Sequence, residues 1–147
     1  MVTFFSPAEE ARLVTAIRLA EVTTSGEIRV HVEVGSTEPI LDLTRRIFAE
    51  LHMHETADRN GILILLAVDR REFAILGDEG IDAVVDDSFW DDERDLLQRA
   101  FRRGDFTGGL ETAIGLVGEK LKQFFPFQRD DTNELPDEIS YGNNTSR

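Results

Sequence analysis

Carboxylates and amide oxygens gather in three short stretches of this chain: Ser25-Gly26-Glu27, Asp58-Arg59-Asn60-Gly61 and Gly77-Asp78-Glu79-Gly80. Oxygen donors without soft partners are what Ca²⁺ and Mg²⁺ require. The chain has no cysteine, so thiolate metal sites, disulfides and cysteine nucleophiles are excluded together. A further acidic run (Asp82, Asp86, Asp87, Asp91, Asp92, Glu93, Asp95) is relieved only by Arg94. It lacks the glycine an EF-hand needs at its sixth position and reads instead as the solvated start of a helix, where the macrodipole favours negative charge. There is no P-loop, no H-E-x-x-H helix and no G-x-S-x-G elbow. Phosphate-ester hydrolysis here would need a cation to polarise the phosphoryl oxygen and a rim carboxylate such as Asp78 to orient or deprotonate water. His52 and His54, two apart on a helix, point to different faces, and His31 reads as a surface residue on the polar side of a strand.

Those stretches must be positioned by the elements around them. Ser6-Pro7-Ala8-Glu9 is a capping box with proline at the first helical position, so a helix is expected over 7–21. From Glu27 to Val34 polar and apolar residues alternate strictly, which predicts a half-buried strand with one wet face. Leu43, Ile47, Phe48 and Leu51 place a second helix at about 39–56. Ile62 to Val68 is uniformly apolar, as a central strand covered on both faces should be. Asp69-Arg70-Arg71-Glu72 then turns the chain into a third strand, Phe73 to Leu76, ending at Gly77. Trp90, Leu97, Ala100 and Phe101 mark a helix closed by Gly104, and Leu110 to Phe124 marks a last helix stopped by Pro126.

A helical crossover makes the first two strands parallel, and a tight turn makes the second and third antiparallel. The expected class is therefore α/β: a three-layer α/β/α sandwich with a small mixed sheet and helices on both faces. In that topology the starts of the first two strands and the end of the third share one rim, which brings the three oxygen-rich stretches together. At the opposite rim Gly35-Ser36-Thr37, Arg70 and Arg71 offer a weaker, generic place for an anion.

The chain carries 16 Lys and Arg against 29 Asp and Glu over 147 residues, a net charge of −13. Such a field repels phosphate backbones and anionic lipid, so nucleic-acid and membrane-surface roles are disfavoured, while hard cations are attracted. No apolar run is long enough for a membrane span and no signal peptide opens the chain, which leads to the expectation of a soluble, cytoplasmic protein. Residues 1–127 are expected to form one domain. Residues 128–147, acidic and poor in apolar side chains, are expected to be a disordered tail whose removal leaves fold and metal affinity unchanged. The sequon-like Asn143-Asn144-Thr145-Ser146 within it is a chance match.

Several stretches together resemble the TPM domain family, known from thylakoid-lumen and photosystem-repair proteins, and in particular its soluble bacterial branch. They are Thr24-Ser25-Gly26-Glu27-Ile28-Arg29-Val30, Arg59-Asn60-Gly61-Ile62-Leu63, Phe73 to Ile81 with Phe89-Trp90, and Phe101 to Phe106 with Gly109-Leu110. The resemblance spans about residues 4–126. It implies an α/β/α fold, a divalent-metal site at the rim and the acid-phosphatase activity attributed to plant members. Membrane-associated and luminal members read Gly-Tyr-Gly after the third strand, where this chain has Gly77-Asp78-Glu79-Gly80, so metal binding carries over better than the plant activity. The candidate metal ligands are Glu27, Asn60, Asp78, Glu79 and Asp105, with Ca²⁺ or Mg²⁺ as the cofactor. Arg102, by default a helix-end arginine, is the candidate for holding an anion. The expected role is a binding or regulatory module for a divalent cation, with an unidentified protein or a phosphorylated substrate as further partner. The alternative is a metal-dependent acid phosphatase acting on phosphate monoesters.

Overall fold

The capping box closes as its residue types dictate. The Ser6 Oγ accepts from the Glu9 N–H at 3.1 Å, and the Glu9 carboxylate accepts from the Ser6 N–H at 2.9 Å. This starts α1, Pro7–Glu21, in a computed structural model that describes residues 4–127 and 137–142. There follow β1 (Glu27–Glu33), α2 (Ile40–Glu50), β2 (Gly61–Ala67), β3 (Glu72–Gly77), α3 (Glu79–Asp82), α4 (Asp87–Arg102), α5 (Phe106–Phe124) and β4 (Ser140–Tyr141). The sheet order is β3-β2-β1-β4. Strands β1 and β2 are parallel, with Glu27 opposite Gly61, and β3 returns antiparallel with Gly77 opposite Ile62. The α/β class with helices on both faces of a mixed sheet is the one the element order implied.

Period-two alternation sorts the side chains of β1 and β2 between two layers. Ile28, Val30, Val32, Ile62, Ile64 and Leu66 enter the larger core with α1, α4 and α5. Leu63, Leu65 and Ala67 face the other way onto Leu43, Ile47 and Phe48 of α2. Each fully buried Leu or Ile contributes about 1.5–3 kcal/mol. The continuous apolar run of β2 is explained by this double cover, since all seven of its residues are buried.

Four points correct the expectations from sequence or go beyond them. First, α2 ends at Glu50, not 56. The chain reverses through His52 at φ 59°, so that Met53 folds back under the sheet and is wholly buried. Second, the stretch after β3 is a one-turn helix, α3, capped by Asp78, whose side chain accepts from the Glu79 N–H. Gly80 is obligatory there, because a Cβ would lie 2.1 Å from the Asp58 carbonyl oxygen. Third, β1 has no wet face: Glu27, His31 and Glu33 keep only 2%, 3% and 6% of their exposure. Fourth, part of the expected tail is ordered. Ile139 is buried in the larger core, and Ser140–Tyr141 pair in parallel with His31–Val32, which makes β4 the sheet edge. The last two corrections have one cause. Docking of 137–142 covers the edge of β1 and gives its polar side chains partners: the His31 imidazole bonds the Ser140 hydroxyl at 2.7 Å and the Glu33 carboxylate at 2.8 Å. The other tail residues, including the sequon-like stretch, lie outside the described residues.

Candidate metal centre

The five nominated ligands fall in three places. Asp78 and Glu79 sit at the shared rim, but Arg59 has claimed them. Its guanidinium donates to both Asp78 oxygens, at 2.7 and 3.0 Å, and its Nη1 lies 3.1 Å from the Glu79 carboxylate. Arg59 reaches them from a left-handed residue, φ 52°, in the loop before β2. A guanidinium held in two-point contact neutralises the charge a cation would need.

Asn60 is also at this rim, 1% exposed. Its Nδ2 donates to the Ser25 Oγ at 3.2 Å, and the Ser25 hydroxyl donates to Asp58 at 3.3 Å. The Asn60 Oδ1 is buried and has no hydrogen-bond partner among the described residues.

Asp105 is elsewhere. It caps α5, accepting from the Gly108 N–H at 3.1 Å, whereas the far end of α5 reaches the rim, where the Phe125 carbonyl accepts from the Ser25 N–H. The intervening helix of 19 residues is roughly 28 Å long at 1.5 Å per residue, so Asp105 cannot share an ion with the rim residues. Arg102 lies at that distant end too, beside Val68 and Phe73. In the generic anion site beside it the loop and Arg70 are already engaged, leaving Arg71: Asp69 takes the Gly35 N–H at 3.0 Å, and Arg70 is spent on the Ser36 and Glu38 carbonyls and on Glu72.

Glu27 belongs to a different group. Its carboxylate converges with those of Glu21 and Asp137, each offering an oxygen within 4.8 Å of the others. Glu21 closes α1, and its Oε2 accepts from the Ile28 N–H at 2.7 Å. Asp137 enters from the segment ahead of β4, with the Arg18 Nε at 3.5 Å from its Oδ2. Burial pushes the Glu21 carboxyl well above the ordinary range. Its hydrogen bond with Asp137 and the negative charges of Glu27 and Asp137 push the same way, against the opposing Ile28 N–H. With no cation, a proton must be held here. With one, three carboxylates supply a hard all-oxygen set that water can complete.

Glu21 and Asp137 were not nominated from the sequence. A signal existed for the first: an acid as the last residue of a helix opposes the macrodipole, and such local conflicts mark sites with another purpose. For Asp137 the signal was the short alternation Ile139-Ser140-Tyr141 just beyond it, hidden in an otherwise polar tail.

A parallel pair, an antiparallel return, helices on both faces and an acidic rim define a small α/β/α domain, and comparison with known proteins places it. The TPM domain model matches residues 1–120, and the chain belongs to that family. The NMR structure of the BA42 protein from the psychrophilic bacterium Bizionia argentinensis is similar at 44% identity and a TM-score of 0.90, over 97% of this chain and 98% of that one. The N-terminal domain of a protein from P. gingivalis, solved by NMR, shares the fold at 21% identity and a TM-score of 0.64, over 81% of this chain and 77% of that one. The N-terminal domain of cg2496 from Corynebacterium glutamicum does so at 18% and 0.60, over 80% and 74%. No curated protein matches the chain. Among the described residues no helix is long and apolar enough to cross a membrane.

Proposed function

We propose that this TPM domain binds one divalent cation, Ca²⁺ or Mg²⁺, through Glu21, Glu27 and Asp137, and serves as a cation-dependent binding or regulatory module. The observation that carries this reading is the convergence of three carboxylate oxygens within 4.8 Å of one another. Three negative charges at that spacing repel strongly unless a proton or a cation intervenes. The donor chemistry suits a hard ion. Of the five residues nominated from sequence, Glu27 stays in the set, and Asn60 keeps a buried Oδ1 at the start of the neighbouring strand β2, its backbone carbonyl accepting from the Glu27 N–H. Asp78 and Glu79 act instead with Arg59 as an ion-paired clasp between the β2 entry loop and α3.

The role of a cation here would be to replace the proton and fasten three separate pieces of chain: the end of α1, the start of β1 and the segment before β4. A module whose last strand is tightened by a cation can present that edge to a partner in one state and withhold it in another.

Calorimetric titration with CaCl₂ tests the reading. Saturable binding should be accompanied by proton release in weakly buffered solution near neutral pH, because ligation requires ionised Glu21. Glu21→Gln and Glu27→Gln should each weaken it by at least about tenfold, and Asp78→Asn should not. Loss of binding in Asp78→Asn with retention in Glu27→Gln would move the site to the Arg59 rim and overturn the assignment. An aryl phosphate assay on the same samples decides the enzymatic alternative: turnover that disappears in Glu27→Gln supports a phosphatase, and cation binding without turnover supports the module.

A further inference from the structure

The other end of the sheet has the opposite character. Beyond the carboxyl end of β2, Leu66 and Val68 form the floor of a cavity of about 530 Å³. Its walls are phenylalanines joined ring to ring: Phe4 meets Phe106 edge-on at 5.1 Å, Phe106 stacks on Phe101 at 5.1 Å, and Phe101 meets Phe73 edge-on at 5.2 Å. The hollow opens to solvent along its polar edge, where Arg71, Glu72 and Arg102 are exposed. It falls within the range of small-molecule sites, which are mostly apolar with a few polar groups that fix orientation.

Those polar groups are basic. Arg71 and Arg102 both line the cavity. The acid among the lining residues, Glu72, is held by Arg70 at 2.5 Å. Among the described residues neither the Arg71 nor the Arg102 side chain has an ion pair or hydrogen bond, in a chain whose net charge is −13. Both side chains are solvent-exposed, so their guanidinium groups are open to a ligand. Arg71 also occupies a left-handed position, φ 55°, in the β2–β3 turn, where Gly, Asn or Asp would be the unstrained choice.

We propose that this cavity binds a small organic anion, with an apolar body among the phenylalanines and a single carboxylate or phosphate held by Arg71 and Arg102. Guanidinium groups match either oxyanion with paired N–H donors. The rest of the acidic surface repels anions, so binding should be confined to this end of the sheet. The site is independent of the carboxylate centre at the opposite rim.

The test uses the full chain in EDTA, so that the cation site plays no part. Naphthylacetate and naphthyl phosphate are titrated separately and followed by amide chemical shifts. At least one should saturate with a Kd below about 1 mM, with its shifts concentrated at Phe73, Phe101 and Arg102. The Arg71→Gln, Arg102→Gln double variant should weaken binding by about tenfold or more. Arg103→Gln, exposed at the same helix end but outside the cavity, should leave it unchanged. Neutral naphthylacetamide should bind no better to the wild type than to the double variant. The proposal is overturned if neither anion saturates, if acid and amide bind equally, or if the correctly folded double variant binds as the wild type does. Inorganic phosphate competing as well as naphthyl phosphate would also overturn it, by removing the apolar body from the recognition.

Discussion

Glu93 shows how one side chain can set a pH dependence for the whole fold. It lies in α4, 2% exposed, and its Oε2 has no hydrogen-bond partner among the described residues. Burial, and secondarily the neighbouring Asp92, raises its pKa from 4.5 to about 7. The unfolded chain therefore loses this proton before the folded one does. The stability Glu93 contributes is complete below pH 4.5 and is lost as pH rises through about 7. His31 works in the opposite sense, since burial lowers its pKa and protonation of the unfolded chain at mildly acid pH favours unfolding. The comparison between wild type and Glu93→Gln isolates the first effect. At pH 8 the variant should be more stable by about 1–3 kcal/mol, and at pH 5 the two should nearly coincide. Urea melts at the two pH values check this. A variant less stable than wild type at pH 8 would mean that Glu93 has a cationic partner there, Lys120 and Lys122 being the ones that line the same surface hollow.

Among the elements, β4 has the consequence hardest to see beforehand. Ile139 is buried in the main core, Tyr141 donates its hydroxyl to Glu10 at 2.9 Å, and Gly142 rests on Glu33 so closely that a Cβ would meet the carboxylate at 2.0 Å. Removing residues 137–147 should therefore cost at least about 2 kcal/mol, lowering the midpoint by roughly 4–8 °C, and should abolish cation affinity with the loss of Asp137. A thermal melt of the truncated chain with and without Ca²⁺ reads both effects; a midpoint within a degree of the full chain would show that the edge strand does not hold. The same strand marks the limit of what was legible in the sequence. Long periodic signals such as the capping box of α1 and the apolar run of β2 identified their elements, because each is a local pattern with one structural solution. The rim topology followed from them. A two-residue strand has no such pattern of its own, and its pairing energy is tertiary. The alternation of β1 likewise could not reveal whether its polar side would be covered, since that depended on a segment more than a hundred residues away. The proposed site was half legible for the same reason: the rim topology singled out Glu27, but the carboxylates that converge on it depended on β4, and the nearby claim of Arg59 on Asp78 depended on one left-handed residue.

For the molecule as a whole, the question is whether a cation acts through ligation or by relieving the repulsion of a chain at −13. Any salt screens exposed charges, and the screening grows with ionic strength whichever ion supplies it. Ligation at Glu21, Glu27 and Asp137 instead stabilises only the state in which these three meet, adding about 2.7 kcal/mol at a hundredfold excess over Kd. In a chain of this size that corresponds to a rise of roughly 5–11 °C in the melting midpoint. Mg²⁺, which gives up its water reluctantly and demands a tighter octahedron, should give less. The rise should survive in NaCl of equal ionic strength, vanish in Glu27→Gln and persist in Asp92→Asn, whose carboxylate lies on the exposed start of α4. Differential scanning calorimetry of the three proteins under the three salts separates the cases. Equal shifts in the two variants, or a full shift with NaCl alone, would mean that the cation only neutralises an acidic surface and that the three carboxylates hold a proton instead.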